Sequence, residues 1–106
     1  MSNFTFIANY KGGIFIRQVN AEDLSSACYT WAEQLSDMQD IPELNANKFL
    51  KAFREDIEDL PPQPLRDTPH VWAFSVSSGR EFMLVNIVKT ADTVAYPVPA
   101  PALAGV

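Results

Sequence analysis

The sequence has little of what most catalytic and metal-binding sites are made from. It contains one cysteine and one histidine in 106 residues, so an intrachain disulfide is excluded. A zinc site built from cysteine and histidine alone is excluded too, because it needs more ligands than these two. Eight lysines and arginines stand against thirteen acids, which gives a net charge of −5. Binding to duplex nucleic acid needs a basic patch, so this class of protein is disfavoured.

Long apolar runs and a leader pattern are also missing. No run approaches the roughly twenty apolar residues that span a bilayer. The opening "MSNFTFIANYKGG" lacks the charged-then-apolar order of a signal peptide. We therefore expect a cytoplasmic protein that contacts no membrane. The length and the hydrophobic fraction of 47% favour one folded domain.

Few residues remain that could carry catalysis. Cys28 lies in the apolar stripe of a predicted helix, where a buried and inert thiol is the ordinary case. His70 opens a predicted strand, and nothing in the spacing brings it to Cys28, as a nucleophile–base pair requires. "REDIED" lacks the ligand order of a calcium loop, and "YKGG" lacks the length of a phosphate-binding loop. We predict a protein that is not an enzyme and holds neither cofactor nor metal.

The first hairpin is indicated by "NFTFIANY", whose side chains alternate between two faces, and by "IFIRQV" after the turn "KGG". Two pairing registers are possible for the strands of this hairpin. A three-residue loop places Ile14 and Ile16 on the buried face, whereas a two-residue loop places Phe15 and Arg17 there. We favour the three-residue loop because it leaves the arginine in water.

The second hairpin is indicated by "HVWAFSV" and "EFMLVNIV" around "SSGR". A turn at Ser78-Gly79 would pair Phe74 with Met83. The predicted buried face consists of Trp72, Phe74, Val76, Met83, Val85 and Ile87. The opposite face carries Val71, Phe82, Leu84 and Val88. Because that face is too apolar for a solvated surface, we expect it to be covered or to be part of an interface.

Two helices are predicted between the hairpins. The first begins with Asn20 as N-cap and with Val19 and Leu24 as a hydrophobic staple. Its apolar stripe is Leu24, Cys28, Trp31, Leu35 and Met38. The second runs from Pro42 or Asn45 to Asp59, with the stripe Ala46, Leu50, Phe53, Ile57 and Leu60. The order ββααββ predicts an α+β two-layer domain, an antiparallel sheet with both helices packed on one face.

The helical segment is strongly acidic. Residues 20–60 carry ten acids and three bases, and four of these acids crowd the end of the second helix. They are Glu55, Asp56, Glu58 and Asp59. Acids are unfavourable there because the C-terminal end of the helix dipole is already negative. The cluster is either a docking patch for a basic partner or a solvated face that keeps the protein soluble.

The last fourteen residues, "TVAYPVPAPALAGV", contain three prolines and no charge. Alternating prolines favour an extended arm. The arm could be a disordered terminus, a ligand for a groove in a partner, or a segment exchanged between two copies. We therefore divide the chain into a domain, 1–92, and an arm, 93–106, and expect the arm to pack against the apolar face of the second hairpin.

Together these patterns predict a small non-catalytic protein-interaction module that forms a homodimer. The predicted interface consists of Tyr29, Glu55, Asp56, Glu58, Asp59, Phe82, Leu84, Tyr96, Pro97, Val98 and Pro99. One alternative is an acidic neutralising protein, like an immunity protein or antitoxin, that binds a cationic partner. The least favoured is a small-molecule binder or enzyme with a pocket between helices and sheet, lined by Trp31, Phe53 and Trp72.

Overall fold

The computed structural model describes residues 1–38, 41 and 43–90, which form five strands and two helices. The strands are β1 (Ser2–Tyr10), β2 (Gly13–Ala21), β3 (Gln63–Pro64), β4 (Val71–Ser78) and β5 (Glu81–Thr90), and the helices are α1 (Leu24–Met38) and α2 (Ala46–Asp59). The strands form one antiparallel sheet in the order β2-β1-β5-β4-β3. Both helices pack on one face of it, which confirms the predicted α+β two-layer fold. The predicted arm, 93–106, lies outside the described residues.

The turn of the first hairpin has two residues, and our prediction of three was wrong. Lys11 and Gly12 have φ angles of 50° and 81°. Positive φ at both central positions defines the tight turn whose twist matches that of the flanking strands. Gly13 already belongs to β2, opposite Tyr10. A Cβ at this position would lie 2.9 Å from Cε2 of the Phe15 ring, so a larger residue would require that ring to shift.

This turn also reverses the face that β2 buries. Phe15 and Arg17 point toward the helices, whereas Ile14 and Ile16 are each 64% exposed on the other side. The guanidinium of Arg17 donates a hydrogen bond to Oε1 of Gln34 on α1 at 3.4 Å. The arginine therefore has a polar partner on the helical side, and the geometry of the turn outweighs the preference for leaving it in water.

The second hairpin turns through residues 79 and 80, and its strands pair two positions away from the predicted register. Phe74 lies opposite Val85 and not opposite Met83. A shift of two positions keeps every side chain on its face, so the prediction of the buried face is confirmed. The buried members are Phe74, Val76, Met83, Val85 and Ile87, and Trp72 is half-buried at the margin.

The start of α1 differs from the prediction because β2 continues to residue 21. The helix begins at Leu24, and Oδ1 of Asp23 accepts a hydrogen bond from the backbone N–H of Ser26 at 2.8 Å. This bond caps the helix and lowers the pKa of Asp23. The predictions of an Asn20 cap and a Val19 staple were therefore wrong.

A cluster of aromatic rings fills the space between the sheet and the helices. Trp31 of α1 stacks on Phe6 of β1, with ring centroids 5.1 Å apart. The edges of its neighbours Phe49, Phe53 and Phe74 meet the same indole ring at 5.7–6.3 Å. All five side chains are at most 5% exposed. One indole ring thus contacts strands from both hairpins and the second helix, and its position holds the two layers in register.

Replacing Trp31 by alanine should lower the free energy of unfolding by about 3–5 kcal/mol, because a large cavity opens where five rings meet. Urea denaturation of the native chain and the variant measures this loss. Glu33→Ala, at an exposed position of the same helix, is the matched control and should change the free energy by less than about 0.5 kcal/mol. A loss below about 1 kcal/mol for Trp31→Ala would show that the ring is not central to the core.

Candidate interaction surface

The face of the sheet that points away from the helices carries no charged side chain on its four long strands. We call this the outer face. Its outward positions are Asn3, Thr5, Ile7 and Asn9 of β1, Ile14, Ile16, Gln18 and Asn20 of β2, Val71, Ala73, Ser75 and Ser77 of β4, and Phe82, Leu84, Asn86, Val88 and Thr90 of β5. Neither α1 nor α2 packs on it, so no other element of the described residues covers it.

Large apolar side chains lie across the outer face among amides and hydroxyls. Ile7 on β1 has Ile16 of β2 on one side and Asn86 of β5 on the other. Phe82 is 56% exposed and Leu84 is 41% exposed. Protein interfaces are depleted of charge at their centre, since a buried charge must lose its water. Uncharged amides and hydroxyls can instead exchange water for partner groups, so the chemistry of the outer face suits a protein partner.

The outer face is also large enough for an interface. Four strands about 4.8 Å apart and about eight residues long cover roughly 500 Å² in projection. Each partner in a typical stable complex buries about 800 Å² of accessible surface. Accessible surface includes the bumps and grooves between side chains, so it is larger than the projected area of the same face. The two values are of the same order, so one sheet face can supply most of an interface.

Two of the predicted interface residues, Phe82 and Leu84, lie on the outer face. The structure adds three isoleucines to the predicted surface, Ile7, Ile14 and Ile16. The two on β2 were missed because β2 was assigned the wrong register, whereas the one on β1 was predicted on the correct side but not included in the interface. The signal that could have found them is the Lys-Gly dipeptide at 11–12, which suits a two-residue turn with positive φ. With that turn, β1 and β2 present their isoleucines on the same side.

The acidic residues of the predicted interface lie on the helical layer, away from the outer face. Glu55, Glu58 and Asp59 are exposed on α2, and among the described residues no lysine or arginine forms an ion pair with them. Asp56 has a structural role, because its Oδ2 accepts a hydrogen bond from the backbone N–H of Ser77 at 2.7 Å. That bond ties α2 to β4.

Tyr29, the last predicted interface residue within the described part, also belongs to the helical layer. It is 38% exposed, and its ring meets Phe53 edge-on at 5.3 Å. One side of the ring thus contributes to the core and the other contacts solvent. The structure therefore divides the predicted interface between two opposite layers and does not bring it together as one surface.

A second cluster of polar groups lies where the first hairpin turns, and we call Tyr10, Lys11, Glu43 and Glu81 the polar cluster. The Tyr10 hydroxyl donates a hydrogen bond to the Glu81 carboxylate. Nζ of Lys11 lies 3.0 Å from Oε2 of Glu81 and 3.8 Å from Oε2 of Glu43. Burial raises the pKa of Tyr10, with the Glu81 bond adding to it.

The groups of the polar cluster compensate one another. Hydrogen bonds from Tyr10 and then Lys11 lower the pKa of Glu81, and the bond to Glu81 raises the pKa of Lys11. At neutral pH the carboxylate is therefore ionised, the ammonium is charged and the phenol is protonated. None of the three is poised as a base or nucleophile, so the cluster joins the first turn to β5 and does not resemble a catalytic site.

Glu81→Gln should destabilise the protein at pH 7, and this difference should shrink as the pH falls. The pKa of Glu81 is lower in the folded chain than in the unfolded chain. The ionised Glu81 therefore contributes its whole stabilising free energy at any pH above the ordinary pKa of a carboxyl group. The contribution is lost as the pH falls through the lowered value. Urea denaturation of both chains at pH 7 and pH 3 measures the effect, with Glu58→Gln on the exposed side of α2 as control. An equal difference at both pH values would contradict the assignment.

The predicted candidates for nucleophilic chemistry are placed unfavourably for it. Cys28 is fully buried in α1, and burial raises the pKa of its thiol to about 12. His70 is exposed before β4, and its carbonyl accepts a hydrogen bond from Lys89 N–H. A thiol with this pKa is protonated at neutral pH. Trp31 and Phe53, expected to line a pocket, instead pack against each other in the core.

The described residues hold neither a metal-binding cluster nor a helix that could cross a bilayer. No group of three or more histidine, cysteine, aspartate or glutamate side chains in residues 1–38, 41 and 43–90 could hold a metal ion. Neither α1 nor α2 is both long and apolar enough to cross a bilayer. Comparison with protein-family models, curated proteins and solved structures gave no match.

Proposed function

We propose that the protein is a non-catalytic protein-interaction module that forms a homodimer, with the outer face as its binding surface. One observation carries this proposal. Charged residues make up 20% of the chain, yet none occupies an outward position on the four long strands. A sheet face exposed to water ordinarily alternates apolar with polar residues and includes charges. A contiguous apolar patch without charge is instead typical of an interaction site.

The distribution of charge favours a second copy as the partner. The acids that give the chain its net charge are concentrated in the helical segment, residues 20–60. Two copies that meet through their sheets keep these acidic layers apart, so repulsion between them is screened by solvent. The uncharged outer face loses its water at small cost, and its isoleucines, Phe82 and Leu84 provide the hydrophobic driving force.

Ile16→Lys should weaken the dimer by at least about tenfold, because it places a charge in an apolar contact that is repeated by symmetry. Light scattering of the native chain and the variant over a wide range of concentrations gives the mass directly. Asn47→Lys on the exposed side of α2 adds the same charge to the other layer and is the matched control. A chain that ends at Asp92 tests whether residues 93–106 contribute to the dimer.

Two outcomes would contradict this proposal. A native chain that remains monomeric at every concentration removes the homodimer. A dimer that Ile16→Lys and Asn47→Lys affect equally removes the outer face as its contact. Urea denaturation of both variants shows that the fold is retained, which is expected because Ile16 is already 64% exposed.

A second candidate function is neutralisation of a cationic protein by the helical layer. It is favoured by the exposed and unpaired Glu55, Glu58 and Asp59 within the described residues. Binding of this kind should weaken steeply with salt and should be lost when all three are changed to glutamine. Titration of a lysine-rich peptide at two salt concentrations tests it, with Ile16→Lys as a control that should still bind. Salt-independent binding would exclude this function.

A further inference from the structure

The two edges of the sheet differ in how they are protected. At one edge β3 has only two residues, Gln63–Pro64, and the segment before it contains two more prolines. Proline has no N–H to donate, and short proline-bearing strands are a common protection against further pairing. At the other edge β2 is nine residues long and contains no proline. Its one charged residue, Arg17, points toward the helices.

The register of the first hairpin identifies which backbone groups of β2 face the open edge. The residues that flank a two-residue turn form a closely hydrogen-bonded pair, and the pairs alternate from there along the strands. Gly13, Phe15 and Arg17 therefore bond to β1. Ile14, Ile16 and Gln18 direct their N–H and C=O groups outward, and in the described part no backbone or side-chain group bonds to those of Ile14 and Ile16.

Within the described residues, a groove lies beside this edge. It has a volume of about 320 Å³ and lies between β2 and α1. Its walls include Phe15 and Arg17 of β2 and Trp31 and Leu35 of α1. Inward-pointing side chains of an added strand would enter this groove. An edge with free donors and acceptors and an adjoining groove is the arrangement by which a sheet accepts another strand.

We propose that β2 pairs with β2 of a second copy, antiparallel and across a twofold axis, to form one continuous ten-stranded sheet. This inference rests on the homodimer of the proposed function, but it places the contact between the two copies at the β2 edge and leaves most of the outer face for another partner. The strand is suited to pairing with itself. A twofold axis brings each outward donor of one copy to an acceptor of the other, and every contact is made twice.

The side chains select one register. With Ile16 opposite the partner's Ile16, Ile14 lies opposite the partner's Gln18, and all these residues face the outer side. On the inner side Phe15 lies opposite the partner's Arg17, and a guanidinium beside an aromatic ring is favourable. A pairing centred on Arg17 would instead bring the two Arg17 side chains together, which like charge disfavours. A pairing centred closer to the N-terminus of β2 would shorten the paired segment.

Hydrogen exchange at single residues tests this pairing. The backbone N–H groups of Ile14, Ile16 and Gln18 should exchange at least roughly tenfold more slowly at high than at low protein concentration. Those of Phe15 and Arg17 are already bonded to β1 and should change little, so they are controls within the same strand. A dimer in which Ile14, Ile16 and Gln18 gain no protection would overturn the pairing.

Disulfide formation provides an independent measurement. Directly opposed residues in a hydrogen-bonded pair have Cα atoms about 5.5 Å apart, which a disulfide can span. Ile16→Cys should therefore oxidise to a covalent dimer, whereas Leu84→Cys, in the middle of the outer face, should not. The native Cys28 is buried and should not form a disulfide in either variant. Urea denaturation under reducing conditions confirms that both variants fold.

The outcomes separate this inference from the proposed function. Cross-linking through Leu84→Cys and not through Ile16→Cys would show that two copies stack by their outer faces, which overturns the edge pairing and leaves the homodimer. A monomeric mass for the native chain at all concentrations overturns both. Cross-linking through Ile16→Cys together with concentration-dependent protection at Ile14, Ile16 and Gln18 supports the edge pairing and the homodimer, and it shows that the outer face is not the contact between the two copies.

Discussion

The two-residue turn at Lys11 and Gly12 is the constraint on which the rest of the surface depends. Its positive φ angles close the hairpin with Gly13 opposite Tyr10, and from there the side chains of β2 must alternate. Phe15 therefore lies against the core and Ile16 in solvent. The same turn determines which N–H groups of β2 point to the open edge. The two-residue turn thus determines both the composition of the outer face and the backbone groups at the open edge.

The aromatic core lies between the outer face and the acidic helices, and it holds the two layers together. Trp31 contacts rings from β1, β4 and α2, so the layers are held together by apolar contacts. Most acidic side chains of the helices can then occupy exposed positions without a role in packing. Asp56, which bonds to Ser77, is an exception among them. The described residues thus form an acidic helical layer and a sheet whose outer face is uncharged.

The sequence predicted the fold class, both helices and the buried face of the second hairpin, because hydrophobic periodicity reports burial directly. It did not predict the register of the first hairpin. There both faces are apolar, so periodicity could not choose, and the placement of Arg17 followed from the two-residue turn. Phe82 and Leu84 were found on the candidate surface, but the isoleucines that complete it were not. The two-residue β3 was missed because prolines predict a connector.

The unequal edges of the sheet also bear on how far assembly can proceed. If the open edge of one molecule joined the opposite edge of the next, each addition would expose a fresh edge, and a filament would grow without end. Pro64 of β3 has no backbone N–H, so this edge lacks a hydrogen-bond donor that such growth needs. Pairing through β2 consumes the open edge of both molecules at once and creates no new one. A sheet built this way would terminate at two copies, because the remaining edges are the proline-bearing β3 strands.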